Sequence, residues 1–455
     1  MDIVFRSFPL AYFDPLPLFL RLCPDGPGFL ESASLGPRTG RYSIVPLRRT
    51  ESYRLDGGGL ARVEGGVERS LGGDPLEVLG KVLASRAVPK MPGMPLFPGG
   101  FFGYLAYELA GFIEELPRLV RVEPRVPRLW LDWVDLTAVY DHREQILTLA
   151  SLDPGEDLAA LERDVRQALQ HPLPPCWGGT GRLPEPVMTP VDFQAMVQKA
   201  REYIAAGDIY QANLSCRFDG EFPGSAAGLY RRLRRVNPSP FGGLLRSPGL
   251  EIISSSPERL VSLHGGVAET RPIAGTRPRG FTPSRDVRLG EELLGHPKER
   301  AEHIMLLDLE RNDLGKVCRV GTVAVDELMV LERYSHVTHI VSNVRGELRP
   351  GVGPFDLVRA VFPGGTITGV PKKRCMEIID ELEPTGRGTY TGSGGYISVT
   401  GDMDLNILIR SYQKFDRDLT YQVGAGIVAD SMPAREWEEC LAKGRALQKA
   451  LEEEG

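Results

Sequence analysis

Beyond residue 190 the apolar residues of this chain keep changing period, and no regular alternation of strand and helix emerges from them. "PVDFQAMVQKAREYIAAGD" sets Phe193, Met196, Val197, Ala200 and Ile204 at helical spacing, with Gly207 as a stop. "IYQANLSCRFDGEF" then alternates as a strand does. "AAGLYRRLRRV" is predicted helical, "FGGLLRS" and "LEIISSS" strands, and "KERAEHIMLLDLERNDL" a long helix. The strands "GGYISV", "ILIRSYQKF" and "LTYQVGAGIVA" follow, and a closing helix begins after Pro433. Parallel strands need a crossover between each pair. This order lacks them, so it predicts an α+β fold of large antiparallel sheets flanked by helices.

Upstream, "RYSIVPL", "FFGYLAYEL", "WLDWVDLTAVYDH" and "QILTLASL" read as strands between turn residues. Residues 1–168 are therefore expected to form a β-rich N-terminal domain. "LQHPLPPCWGGTGRLPEPVMTP", residues 169–190, has Pro and Gly without apolar periodicity, hence a linker or long surface loop. Residues 191–452 form the second expected domain. A net charge of −6 speaks against broad nucleic-acid or anionic-membrane binding. The start, "MDIVFRSFPLAYFDPLPLFLRLC", is broken by Asp2, Arg6, Asp14, Arg21 and prolines, so neither a signal segment nor a membrane span fits, and the cytoplasm is the expected location. The six cysteines include no C-x-x-C pair, which suits reduced, buried thiols.

"EWEECLAK", residues 436–443, places Glu436, Glu439 and Lys443 on one helical stripe and Glu438 on the other side. Such a stripe is either a solvated surface or a carboxylate shelf for a metal. A second acidic pair, Glu299 and Glu302, lies three residues apart in "HPKERAEHIMLLDLERNDLGK". It reads either as the polar start of a helix, favoured by the dipole, or as the partner of the first pair. Should the pairs meet, the site is oxygen-only and suits Mg2+. In "IISSSPERL", Glu258 follows Pro257 at the end of an apolar strand. It is either a loop glutamate or, if desolvated, a carboxyl with a raised pKa fit for general-acid work. "GAGIVA", 424–429, satisfies G-x-G-x-x-A, but too little chain follows for a dinucleotide unit. "GGTITGVPKK", 364–373, lacks the Gly-Lys-Ser/Thr of a P-loop. Both stretches bare backbone N–H groups to a small anion.

"ETRPIAGTRPRG", "ERAEHIMLLDLERNDLGKV", "HIVSNVRGEL", "FPGGTITGVPKKRCMEIIDELEP", "TGSGGYISVTGDMDLNILIRS" and "GAGIVADSMPAREWEEC" together resemble the chorismate-utilising enzymes, which include anthranilate synthase component I and aminodeoxychorismate synthase component I. The resemblance spans residues 190–450 in collinear order and continues more loosely through "FLESASLGPRTGRYSIV" and "GGFFGYLAYEL". It implies the anthranilate synthase component I-like fold, with 191–452 as the chorismate-binding catalytic domain. Enzymes of this kind use Mg2+ to hold the ring carboxylate of chorismate and assist loss of its C4 hydroxyl. Carried over, Glu302 and Glu439 would ligate the metal, Glu299 and Glu436 would support it through its waters, and Glu258 would protonate the departing hydroxyl. Arg410, the amides of Gly424 and Gly426, Tyr390 and Lys443 would surround the enolpyruvyl carboxylate. His339 would face the ring, Thr368 would line the pocket, and Ala274 and Thr276 would flank the substrate.

Relatives that add water carry a lysine base where "IYQANLS" has Gln211, and a neutral amide cannot take a proton from water. Gln211 therefore points to ammonia, which such enzymes receive from a glutamine amidotransferase subunit. "DIYQANLSCRF", "FPGGTITG", "TGSGGYIS", "MDLNILIRS" and "LDWVDLTAVYDH" look more like aminodeoxychorismate synthases, which serve p-aminobenzoate and folate synthesis. Ala274, where many of those enzymes have a nucleophilic lysine, looks like anthranilate synthase instead. "FLES" and "NPSPF" resemble a tryptophan pocket, with Glu31, Ser32, Asn237, Pro238 and Phe241 as its candidates. A non-catalytic relative that binds chorismate or tryptophan would lack a metal carboxylate or the acid, and all are present.

Overall fold

The computed structural model describes residues 3–36, 38–117, 120–171, 173, 179, 181–333 and 337–452, with the backbone alone at Thr276, Pro278, Lys298 and Val337. Its strands join into one extended antiparallel network with helices packed on it. In the N-terminal stretch the 15-residue strand Tyr42–Asp56 pairs with Leu129–Asp141, which also carries Gly100–Leu105 and Ile146–Ser151. Two pairings tie this stretch to the C-terminal one: Gly28–Glu31 with Phe241–Ser247, and Gly100–Leu105 with Ser393–Ser398. At the second seam Gly103 sits opposite Gly395; a Cβ on Gly103 would lie 2.1 Å from Trp130 O and one on Gly395 2.1 Å from Asp404 O, so each glycine lets its strand lie close to the neighbour on its far side. The expected linker, residues 169–190, is described only in part; within it Glu185–Pro186 pairs with Phe218 and Asp219.

The helix Pro190–Ala206 starts from a capping box between Thr189 and Asp192 and stops at Gly207, whose φ of 84° is left-handed. It buries Phe193, Met196, Val197 and Ala200, and Phe193 meets Trp437 of the closing helix Pro433–Glu452. That helix lays Cys440, Gly444 and Leu447 on the strand Asp418–Ile427, where Tyr421 packs beneath Gly444. The central hairpin order follows: Gln211–Glu221 pairs with Asp418–Ile427, and Leu250–Ser256 with Ser411–Phe415.

Two expected strands are shorter than their apolar pattern. In "FFGYLAYEL" the strand ends at Leu105 and a 3-10 turn, Tyr107–Phe112, takes over. In "ILIRSYQKF" it begins only at Ser411, because residues 407–410 turn instead, Ile407 N donating to Glu258 O and Leu408 N to Gly392 O. Arg410 ends that turn at a φ of 54°, a strained setting for a residue with a Cβ. The five described cysteines are buried, while Cys176 lies outside the described residues. Among the described residues no helix is long and apolar enough to cross a membrane.

Candidate active site

The turn at 407–410 holds Glu258 from behind, and the side chain points inward with 7% exposure. Thr366 Oγ1 donates to Glu258 Oε1 at 2.8 Å. Burial pushes the carboxyl up to about 7, against the pull of Thr366, the Lys443 ammonium and the Ile273 N–H. A carboxyl so placed is half protonated near neutrality and can give its proton away.

Lys443 is the hinge of the arrangement. Its Nζ reaches Glu439 at 2.7 Å on its own helix and donates to Gly424 O at 2.9 Å on the strand below. Ser411–Phe415 accompanies that strand only as far as Tyr421, and among the described residues one edge of 422–427 has no strand partner. On its other side Asn213 faces Gly426 and Ser215 faces Gly424. The glycines are needed there: a Cβ on Gly424 would lie 2.8 Å from the Tyr390 hydroxyl, and one on Gly426 2.7 Å from Gln211 Nε2. Gln211 itself is buried, and among the described residues its Oε1 has no hydrogen-bond partner.

Arg410 interacts electrostatically with both Tyr390 and His339. Burial lowers the Arg410 pKa, with Tyr390 opposing. Burial also lowers His339, Arg410 adding to the effect and the Gly275 backbone resisting it, so the imidazole is neutral at pH 7. His339 pairs with Thr276, and Ile340 with Ala274, along the strand Ile273–Pro278. Gly275 bulges between them at a φ of 65°, and a Cβ there would sit 2.9 Å from Glu299 Oε2. Glu299 is held by Arg277 at 3.2 Å. Thr368 is fully buried, and its hydroxyl donates to Gly364 O at 2.8 Å.

Glu299 thus reaches the strand whose first residue bonds Glu258, and Glu439 stands one turn from the lysine beside Glu258. Glu302 and Glu436 lie one turn from those two and are half-buried. Among the described residues no three His, Cys, Asp or Glu side chains form a ready metal cage. Mg2+ asks for less, one or two carboxylates with waters and substrate oxygens, and this donor set of carboxylates fits it.

Four neighbours escaped the sequence reading. Thr366 is hidden in "FPGGTITG" by its ordinary character. Asn213, two residues after Gln211, is 8% exposed, and among the described residues its Nδ2 makes only a loose contact with the Tyr390 hydroxyl. Arg387 is almost wholly buried against Glu383 at 2.7 Å and donates to the Asn213 and Ile367 carbonyls. Glu310 is 6% exposed, its pKa pushed to about 8 by burial, then by Asp313, with Lys372 opposing and Glu258 adding. Only "TGRGTY", an arginine among glycines, carried a hint of any of them.

The tryptophan-pocket candidates divide. Glu31, Ser32 and Phe241 line a cavity of about 450 Å3 with Tyr42, Arg259 and Tyr396. Asn237 and Pro238 do not line it, and the Asn237 amide turns to Ser255 O instead. Glu31 is held by Arg234 and Tyr230.

The sequence pattern of the chorismate binding enzymes matches residues 58–449. An anthranilate synthase component I-like protein of Synechocystis is 48% identical over 78% of this chain and 73% of its own. Aminodeoxychorismate synthase component 1 of Bacillus subtilis is 43% identical over 93% of this chain and 91% of its own. The crystal structure of anthranilate synthase component I from Streptococcus pneumoniae superposes with a TM-score of 0.79 at 32% identity, covering 91% of this chain and 94% of that one.

Proposed function

The chain belongs to the chorismate binding enzyme family, and from that premise we propose that it converts chorismate to 4-amino-4-deoxychorismate, with ammonia from a glutamine amidotransferase subunit and Mg2+ as cofactor, for p-aminobenzoate and folate synthesis. The observation that carries amination over hydration is Gln211, a buried neutral amide with an unpartnered Oε1. It has no basicity to activate water, yet its oxygen accepts an N–H of ammonia. Glu258 gives its proton to the C4 hydroxyl, the C–O bond breaks, and the C–N bond takes its place as water departs. Arg410, Tyr390 and the free edge around Gly424 and Gly426 hold the enolpyruvyl carboxylate, while neutral His339 faces the ring. Glu302 and Glu439 would hold Mg2+, with Glu299 and Glu436 bonding its waters. When bound, the ion supplies positive charge to the ring carboxylate.

Ala274 favours a second reading, anthranilate synthase component I. With alanine there, no lysine is available to attack C2, and ammonia must reach the ring directly. Incubating the purified chain with chorismate, Mg2+ and ammonium chloride separates the two. Aminodeoxychorismate, giving p-aminobenzoate only after a lyase is added, supports the first reading. Fluorescent anthranilate with pyruvate supports the second, and no consumption of chorismate sinks both.

A further inference from the structure

We propose that Asn213 contacts the substrate, its side-chain amide donating a hydrogen bond to an oxygen of the enolpyruvyl carboxylate; this deepens the amination reading and rests on it. Asn213 is 8% exposed, and among the described residues its Nδ2 makes no hydrogen bond of good geometry, only a loose contact with the Tyr390 hydroxyl. Folded chains seldom leave a buried donor unpaired, because the desolvation is not repaid until an acceptor arrives. A donor kept in that condition beside a reaction centre is waiting for one.

Its surroundings say what kind. Asn213 and Gln211 are two residues apart on one strand, so their side chains share a face. The position a Gly424 Cβ would take is 3.1 Å from Asn213 Nδ2 and 2.8 Å from the Tyr390 hydroxyl, so amide, hydroxyl and bare glycine backbone converge on one spot. Arg410 interacts electrostatically with Tyr390, and Lys443 holds the Gly424 carbonyl. Donors and cations predominate there, and the acceptor that completes such a set is an anionic oxygen. The amide is also firmly aimed. Asn213 N donates to Thr368 O at 2.8 Å, and its carbonyl accepts from Arg387 Nη2 at 2.7 Å, so the backbone beneath it is fixed on both sides.

Asn213→Val removes the donor and suits a strand, whereas Asn213→Asp keeps the shape and sets a carboxylate against a carboxylate. Steady-state kinetics with chorismate and saturating ammonium should show KM raised about tenfold or more in Asn213→Val, with kcat changed little. Asn213→Asp should lose more. Thermal unfolding of Asn213→Val should match or exceed that of the unaltered chain, because a buried donor without a well-formed hydrogen bond has gone. An unchanged KM in Asn213→Val overturns the proposal, as does a fall in Tm with unchanged KM, the mark of a purely structural amide. If Asn213→Val fails to fold, Asn213→Asp decides alone: a KM equal to that of the unaltered chain refutes the contact. Should the unaltered chain consume no chorismate, the amination reading falls by itself. Calorimetric titration of chorismate into the unaltered chain and the variants then reads the contact directly, equal affinities overturning it and a tenfold gap sustaining it.

Discussion

Replacing Glu258 by glutamine separates the cost of a buried acid from its use. Burial carries this carboxyl from 4.5 to about 7, which at ~1.4 kcal/mol for each pH unit means the folded state bears roughly 3 kcal/mol once the group is ionised. A raised pKa contributes stability that is fully present below 4.5 and is lost as pH climbs through 7. Glutamine keeps the shape and never ionises. Glu258→Gln should therefore match the unaltered chain near pH 4.5, gain steadily above it, and lead by about 3 kcal/mol above pH 8. Urea unfolding at pH 5 and pH 8, run on both chains, reads the difference through the midpoints at constant slope. Chorismate turnover should meanwhile stop with chorismate binding largely kept. The reasoning fails if the stability gap is the same at both pH values, or if the variant turns over at the unaltered rate.

Lys443→Met removes a positive charge that holds the Glu258 acid down, so the alkaline limb of the kcat profile should move to higher pH; an unmoved limb separates the two residues. Glu302→Ala should abolish Mg2+-dependent turnover, measured as chorismate consumption against metal concentration, and an undiminished rate would free Glu302 from the metal. Arg387→Met strands the buried Glu383 carboxylate and should cost roughly 3–5 kcal/mol in urea unfolding; a loss under about 1 kcal/mol would mean the pair is solvated.

Elements with a clean period were legible in the chain itself. Ala226–Val236 and Phe241–Ser247 fall on their apolar patterns because both packing and propensity point one way. Residues 407–410 read as strand and are not, since their backbone serves Glu258 and Gly392, partners remote in sequence. The site followed the same division. Residues with a chemical signature, such as Glu258 after its proline and the acidic pairs, stood out, whereas Thr366, Asn213 and Glu310 gain their character only from burial. The Thr368 hydroxyl turned toward Gly364 O is likewise a backbone contact that no local pattern announces. Which strands would meet across the chain's length was beyond any local pattern.

The seam between Gly100–Leu105 and Ser393–Ser398 bears on how the molecule is made. A ribosome that has released Leu105 must add 288 more residues to reach Ser393, about 15 to 60 s at ~5–20 residues per second. For that time Phe101 and Phe102 wait on an unpaired edge, open to other nascent strands. Lys443 emerges later still, and without it Gly424 and Glu258 lack their shared cation. The shared cation therefore joins the site only once Lys443 has been made, and chaperone depletion should hurt the yield of this protein more than its specific activity.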